Sequence, residues 1–207
     1  MHRIGHTPGR FLLTTFDAVG SGQSFTTTAA LYFTIQKYLG EEAVFAIPAD
    51  SDETSYTKRW DTSSASNLAA FTTFAACKPE AANQAYNVVD HDPNGVTFAD
   101  IWEYIGKYFG VPVTAKKGFD VQKDVEEKLK RGVWEEIVAK HGGDQNACRD
   151  YGTWDFFQFQ LAITFETHVS MEKARRELGW TTQCDTRHEM GKIFDNMRAA
   201  GVIPKSI

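Results

Sequence analysis

Cysteine is scarce: Cys77, Cys148 and Cys184 are three widely separated thiols in 207 residues, with no C-x-x-C unit among them. That excludes a disulfide framework and points to reduced thiols in a cytoplasmic protein. No stretch approaches the roughly 18 consecutive apolar residues of a spanning helix. The start, MHRIGHTPGR, is basic but lacks an apolar core, so no signal peptide is expected. N-x-[ST] acceptor sites are missing as well. Positive charge is in deficit, with 22 Lys and Arg against 27 Asp and Glu, a net charge of −5. This argues against a nucleic-acid or membrane-surface partner.

Catalytic motifs are absent in the same way. Gly20-Ser21-Gly22 begins like a dinucleotide fingerprint, but Phe25 stands at the third glycine position. No Tyr is followed by Lys four residues later, and no G-x-S-x-G elbow or phosphate-binding P-loop occurs. His188-Glu189 is followed by Lys192 where a zinc helix needs its second His. Neither a cofactor nor a metal is expected from these residues.

What the chain has is aromatic bulk. Hydrophobic residues make up 42% and aromatics 13%, with 15 Phe and 5 Trp. That suffices for one sizeable core, and residues 1–207 read as a single domain. Residues 10–16 and 43–48 read as short strands, and 84–89 (QAYNVV) as the strongest strand. Helices are expected over 28–39, with Gly40 as its stop, and over 63–76. Another runs from Thr97, with Asp100 completing a capping box, to Gly110. Residues 121–141 read as two charged helices broken at Gly132, the charges of 123–131 forming a solvated face. A last helix opens with a Thr186–Glu189 box and buries Met190, Ile193, Phe194 and Met197. Residues 50–61 read as a polar surface loop. About six helices with few strands make an α/β or α+β fold.

The chain is organised around residues 151–180. Trp154, Phe156, Phe157, Phe159, Leu161, Ile163 and Phe165 form a near-continuous apolar run, followed by a short helix capped by Ser170 and stopped by Gly179. Such a density of rings fills a core or walls a site for an apolar ligand. Tyr32, Trp60, Tyr151, Trp154, Phe156 and Phe159 are the candidate wall. Tyr56, His91 and His168 are the candidate polar donors. His91 lies between Asp90 and Asp92, which favours its protonated form and suits an acid; a solvated turn ahead of Pro93 is the other reading. Asp61 reads as a helix N-cap.

Several stretches resemble one family, the progesterone 5β-reductase/iridoid synthase-like branch of the short-chain dehydrogenases. They are YTKRWDTSSASNLAAFTTFAA, AYNVVDHDPNGVTFADIWEYIGKYFG, VWEEIVAKHG, YGTWDFFQFQ, VSMEKARRELGW and FDNMRAAGVIP, with HRIGHTPGRF ahead of them. The resemblance implies a truncated short-chain-dehydrogenase-like fold without a complete Rossmann sheet. It matches the family's C-terminal, substrate-binding half. Family members bind NADPH through an N-terminal half and reduce activated C=C bonds with a Tyr and a Lys. No counterpart of that machinery is legible here.

The function expected is therefore a cofactor-independent enzyme of natural-product metabolism, acting on an apolar terpenoid- or polyketide-like intermediate. Cyclisation or isomerisation is the expected reaction, with a Diels–Alder-type cycloaddition as the specific candidate. A non-catalytic small-molecule binder and a fragment of an NADPH-dependent enone reductase are the alternatives. An exposed apolar edge left by half a sheet would be covered by self-association, so a homodimer is expected.

Overall fold

The computed structural model describes residues 12–13, 24–51, 54–90, 95–166 and 169–207. The Gly20–Gly22 turn, His91 and His168 lie outside them, as does the expected strand over 10–16 except Leu12–Leu13.

Helix α1, Phe25–Leu39, is the centre of the molecule. The sequence shows one apolar face here, yet every residue from Phe25 to Gln36 is buried. The threonines make this possible by returning their hydroxyls to the helix backbone. Thr27 and Thr28 donate to the carbonyl of Ser24, and Thr34 donates to that of Ala30 at 2.7 Å. Ser24 caps the helix and Gly40 ends it in the left-handed conformation.

Beside α1 lies a parallel pair, β2 (Ala43–Ile47) and β6 (Val113–Lys117), in register from Ala43 with Val113 to Ile47 with Lys117. Two smaller pairs complete the strands among the described residues. Leu12–Leu13 (β1) runs parallel to Ser63–Ser64 (β4), and Arg59–Trp60 (β3) antiparallel to Val96–Thr97 (β5). The result is an α/β fold with many helices over few strands and no closed sheet.

Helix α4, Phe98–Phe109, carries the expected box: Thr97 Oγ1 accepts from the Asp100 amide and Asp100 Oδ2 from the Thr97 amide, both at 3.0 Å. It packs so closely on β6 that a Cβ at Gly106 would stand 2.5 Å from Val113 Cγ1. Helices α5 (Val121–Lys130) and α6 (Val133–His141) break at Gly132 as the sequence predicts. Lys128 corrects the solvated-face reading. Its side chain is 7% exposed, and its ammonium meets Asp124 at 2.7 Å, Glu41 at 2.8 Å and Gln36 Oε1 at 2.7 Å.

The expected strand over 84–89 does not form. Its backbone groups are taken by side chains instead of a neighbouring strand: Ser63 Oγ donates to the Val88 carbonyl, Asn67 Nδ2 to that of Val89, and the Val89 amide to Met171 Sδ. The polar loop over 50–61 contains a turn of helix, α2 (Thr54–Thr57), and β3, whose Trp60 is buried. Asp61 is not a cap; Ser64 caps α3 (Ala65–Ala76), and Asp61 accepts from the Val169 amide. Short helix α7 spans Ala147–Asp150 and α8 spans Trp154–Leu161. Helix α9 spans Glu172–Leu178; Ser170 Oγ accepts from the Glu172 amide and Gly179 ends the helix. Asp185, in place of Thr186, caps α10 (Thr186–Ala199).

The apolar side chains form two clusters. The larger surrounds α1 and includes Phe33, Phe45, Trp102, Phe157 and Phe194. The smaller joins Phe71, Val88, Val89, Met171, Ala174, Leu178 and Trp180. No helix among the described residues is long and apolar enough to cross a membrane.

Candidate functional site

The aromatic run of residues 154–165 has no clear period in sequence because rings sit on both sides of one helix. Trp154, Phe157, Gln160 and Leu161 are the buried positions of α8. Phe157 is fully buried, its ring 5.2 Å from Phe25 and stacked at 6.0 Å on Trp102. Phe156 and Phe159 are not among them, and their ring centroids lie 6.1 Å apart. Phe159 is 56% exposed and Phe165, just beyond the helix, 60%, the large hydrophobics left open among the described residues.

Side-chain bonds at both ends fix how α8 is presented. At its start, Thr28 Oγ1 lies 3.3 Å from the Tyr151 carbonyl and 3.1 Å from Thr153 Oγ1 and accepts from the Thr153 amide. Further along, Gln158 Oε1 accepts from the Val121 amide at 2.8 Å, tying α8 to the start of α5.

The other candidates divide between core and wall. Tyr32 corrects the wall reading: it is fully buried, its hydroxyl donating to the Val44 carbonyl at 3.3 Å and accepting from the Val44 amide at 2.9 Å. Burial pushes its phenol well above the ordinary range, with Asp124 and Glu41 adding to the shift. Trp60 is buried against Phe98 at 5.1 Å. Tyr56 is half-buried with its ring 4.9 Å from Phe45, and burial, then Glu103 and Asp100, raise its phenol. Phe98 touches Phe45, Trp60 and Phe25, and Phe25 touches Phe157. Tyr56 and Trp60 thus connect to α8 through a continuous ring chain. Tyr151 is half-buried and contributes its carbonyl. His91 and His168 lie outside the described residues.

Asp90 proves more informative than the triplet it belongs to. It is 1% exposed and accepts from the Ser64 amide at 3.0 Å, Ser64 Oγ at 3.1 Å, Asn67 Nδ2 at 2.9 Å and Thr186 Oγ1 at 3.1 Å. Burial raises its carboxyl above the usual range and the four donors only partly oppose it. Asp90 therefore holds the Ser64 cap of α3 and joins that helix to α10.

The reductase resemblance implies a nicotinamide dinucleotide, whose pyrophosphate needs an open helix N-terminus. At most of the described helices those termini hold the chain's own acids. Asp90 lies at α3, Asp100 at α4, Asp120 at α5 and Asp185 at α10; α6 has Glu135 and Glu136 and α8 has Asp155 in the first turn. Ser24 fills the start of α1. The acid-bearing termini do not fit a pyrophosphate. No three His, Cys, Asp or Glu gather as metal ligands among the described residues.

Helices packed around short, mainly parallel strand pairs make this an α/β protein. Residues 14–204 match the family described as the PRISE-like Rossmann-fold domain, and the chain belongs to that family. It is 28% identical over 197 residues to the short chain dehydrogenase gsfE of Penicillium aethiopicum, covering 89% of this chain and 50% of that protein. It is 30% identical over 188 residues to the (S)-8-oxocitronellyl enol synthase of Antirrhinum majus, covering 86% and 44%. The chain spans about half the length of these curated relatives. Among solved structures, the terminal R domain of the myxalamid PKS-NRPS pathway aligns with a TM-score of 0.47 and 12% identity, over 92% of this chain and 42% of that one.

Proposed function

We propose that this chain binds an apolar, carbonyl-bearing intermediate of terpenoid or polyketide type on the outer surface of α8 and promotes its cyclisation or isomerisation without a redox cofactor. The observation that carries this reading is the division of α8: Trp154, Phe157 and Leu161 lock the helix in the core while Phe159 stays open beside half-buried Phe156. A relative named for an oxocitronellyl enol supports a terpenoid carbonyl as the ligand class. Holding a flexible chain in a reactive geometry contributes several kcal/mol without covalent chemistry. Tyr56 suits the donor role, because a raised phenol stays protonated at neutral pH and can hydrogen-bond a carbonyl whose electron density rises in the transition state. His91 and His168 are further candidate donors. Trp60, Tyr151 and Trp154 support the wall, and a Diels–Alder-type cycloaddition is the specific candidate.

The test is incubation of the purified chain with acyclic terpenoid and polyketide carbonyl compounds, without nucleotide, followed by gas chromatography and mass spectrometry. The expected product has unchanged mass and one more ring. A product heavier by two hydrogens, formed only with NADPH, favours the second reading, a portion of an enone reductase. That reading is motivated by the chain's spanning half of its relatives. Binding without turnover makes the chain a ligand-binding protein.

A homodimer belongs to the same proposal. Among the described residues β2 and β6 pair only with each other; β2 is buried under side chains, and partly exposed β6 offers the open edge. Light scattering should read twice 23.2 kDa at micromolar concentration; a stable monomer removes the dimer.

A further inference from the structure

We propose that the free edge of β6 is the contact surface for a second copy of this chain, β6 pairing antiparallel with β6 about a twofold axis at Ala115. The inference rests on the homodimer proposed above and names its interface. The phase of the β2–β6 ladder shows which backbone groups are open. The Ala43 amide donates to the Pro112 carbonyl and the Gly118 amide to the Ile47 carbonyl, both at 2.8 Å. Alternate residues of a parallel strand serve its neighbour, so Pro112, Thr114, Lys116 and Gly118 face β2. Val113, Ala115 and Lys117 turn their amides and carbonyls the other way, where the described residues offer no strand. The same phase turns Val44 to the far edge of β2, and there the Tyr32 hydroxyl serves both its amide and its carbonyl. Helix α1 thus closes the edge of buried β2. On β6, Val113, Thr114 and Ala115 are half-buried and Lys116 and Lys117 exposed.

This edge is complementary to itself. With Ala115 on the axis, it meets the partner's Ala115, and Val113 meets the partner's Lys117. The outward residues of both copies then all fall in hydrogen-bonded pairs. The lysines lie at opposite ends, Lys116 facing the partner's Thr114, so no like charges stand directly opposite one another. Each Lys117 reaches the end of the sheet where the partner's exposed Glu42 precedes β2. Such a contact uses the same patch on both copies and closes on itself. It consumes the edge that β2 does not offer, so assembly stops at two.

The test compares the parent chain with Ala115→Pro by light scattering across a dilution series. Proline removes the outward amide at the axis and no bond to β2, so the dimer dissociation constant should rise about tenfold or more. A second variant, Ala115→Cys combined with Cys77→Ser to remove the exposed native thiol, is oxidised with diamide. Hydrogen-bonded antiparallel residues lie about 5.5 Å apart at Cα, within the span of a disulfide. A covalent dimer should therefore form, and Cys77→Ser alone should form none. If Ala115→Pro fails to fold, the crosslink decides. A dimer that survives Ala115→Pro and does not crosslink through the new thiol overturns the β6 interface and leaves the homodimer standing. A parent chain that stays monomeric, with no crosslink, overturns both. Assembly beyond two copies overturns the twofold pairing.

Discussion

Phe157 and Phe159 are two residues apart on α8 and meet opposite surroundings: Phe157 is fully buried against Trp102, Phe159 is 56% exposed. Their substitutions should therefore separate stability from binding. Phe157→Ala should lose about 3–5 kcal/mol in urea unfolding, from lost burial and the cavity left behind. Phe159→Ser should stay within about 0.5 kcal/mol of the parent while weakening the binding of citronellol. Equal stability losses at the two positions would place Phe159 in the core and remove the wall.

The hydroxyl of Tyr32 serves both backbone groups of Val44. Tyr32→Phe keeps the ring but leaves a buried amide and a buried carbonyl unpaired. A loss of about 1–3 kcal/mol in denaturant unfolding is expected, with no change in ligand affinity. Weakened binding at unchanged stability would return Tyr32 to the site.

Asp90 gives the chain a defined pH response. Its carboxyl is raised in the folded state by burial, so the folded chain holds its proton to higher pH than the unfolded chain does. Stability contributed by this group is present below the ordinary carboxylate range and declines as pH rises through the folded value. In Asp90→Asn that decline should vanish from the stability profile over mildly acidic pH. A profile identical to the parent's would show that other groups set it.

Lys128 is enclosed by Asp124, Glu41 and Gln36, but Glu41 is half exposed. Glu41→Gln should cost less than about 1 kcal/mol, as exposed ion pairs do. Lys128→Ala should cost more, about 2–3 kcal/mol, because it leaves Gln36 and part of Asp124 without their cation. Equal costs in thermal or chemical unfolding would contradict this arrangement.

What could be read from the sequence follows the range of the forces involved. The Thr97–Asp100 box, the break at Gly132 and the stripe Met190, Ile193, Phe194 and Met197 are local signals, and each sits where its spacing places it. Residues 84–89 have a strand's composition, yet a strand needs a partner strand, and Asn67, Ser63 and Met171 reach those backbone groups first. Lys128 looks solvated because Gln36 on α1 and Glu41 lie about ninety positions earlier in the chain. On α8 the difficulty is different. Rings on both sides of a helix erase the periodicity that would have told Phe157 from Phe159.

The separation of the apolar side chains into two clusters bears on how the chain breathes. The smaller, built on α3, α9 and residues 88–89, is joined to the larger at Asp90 by hydrogen bonds to Ser64, Asn67 and Thr186. A polar clasp of that kind opens more readily than a continuous packed interior, and contiguous units with separate interiors exchange amide hydrogens at separate free energies. Amides of α3 and α9 should exchange with deuterium well before those of α1 and α4, in a partial opening that leaves Phe157 and Trp102 in place. Helix α8 would then remain ordered on a fixed foundation while the far end of the molecule cycles between closed and open.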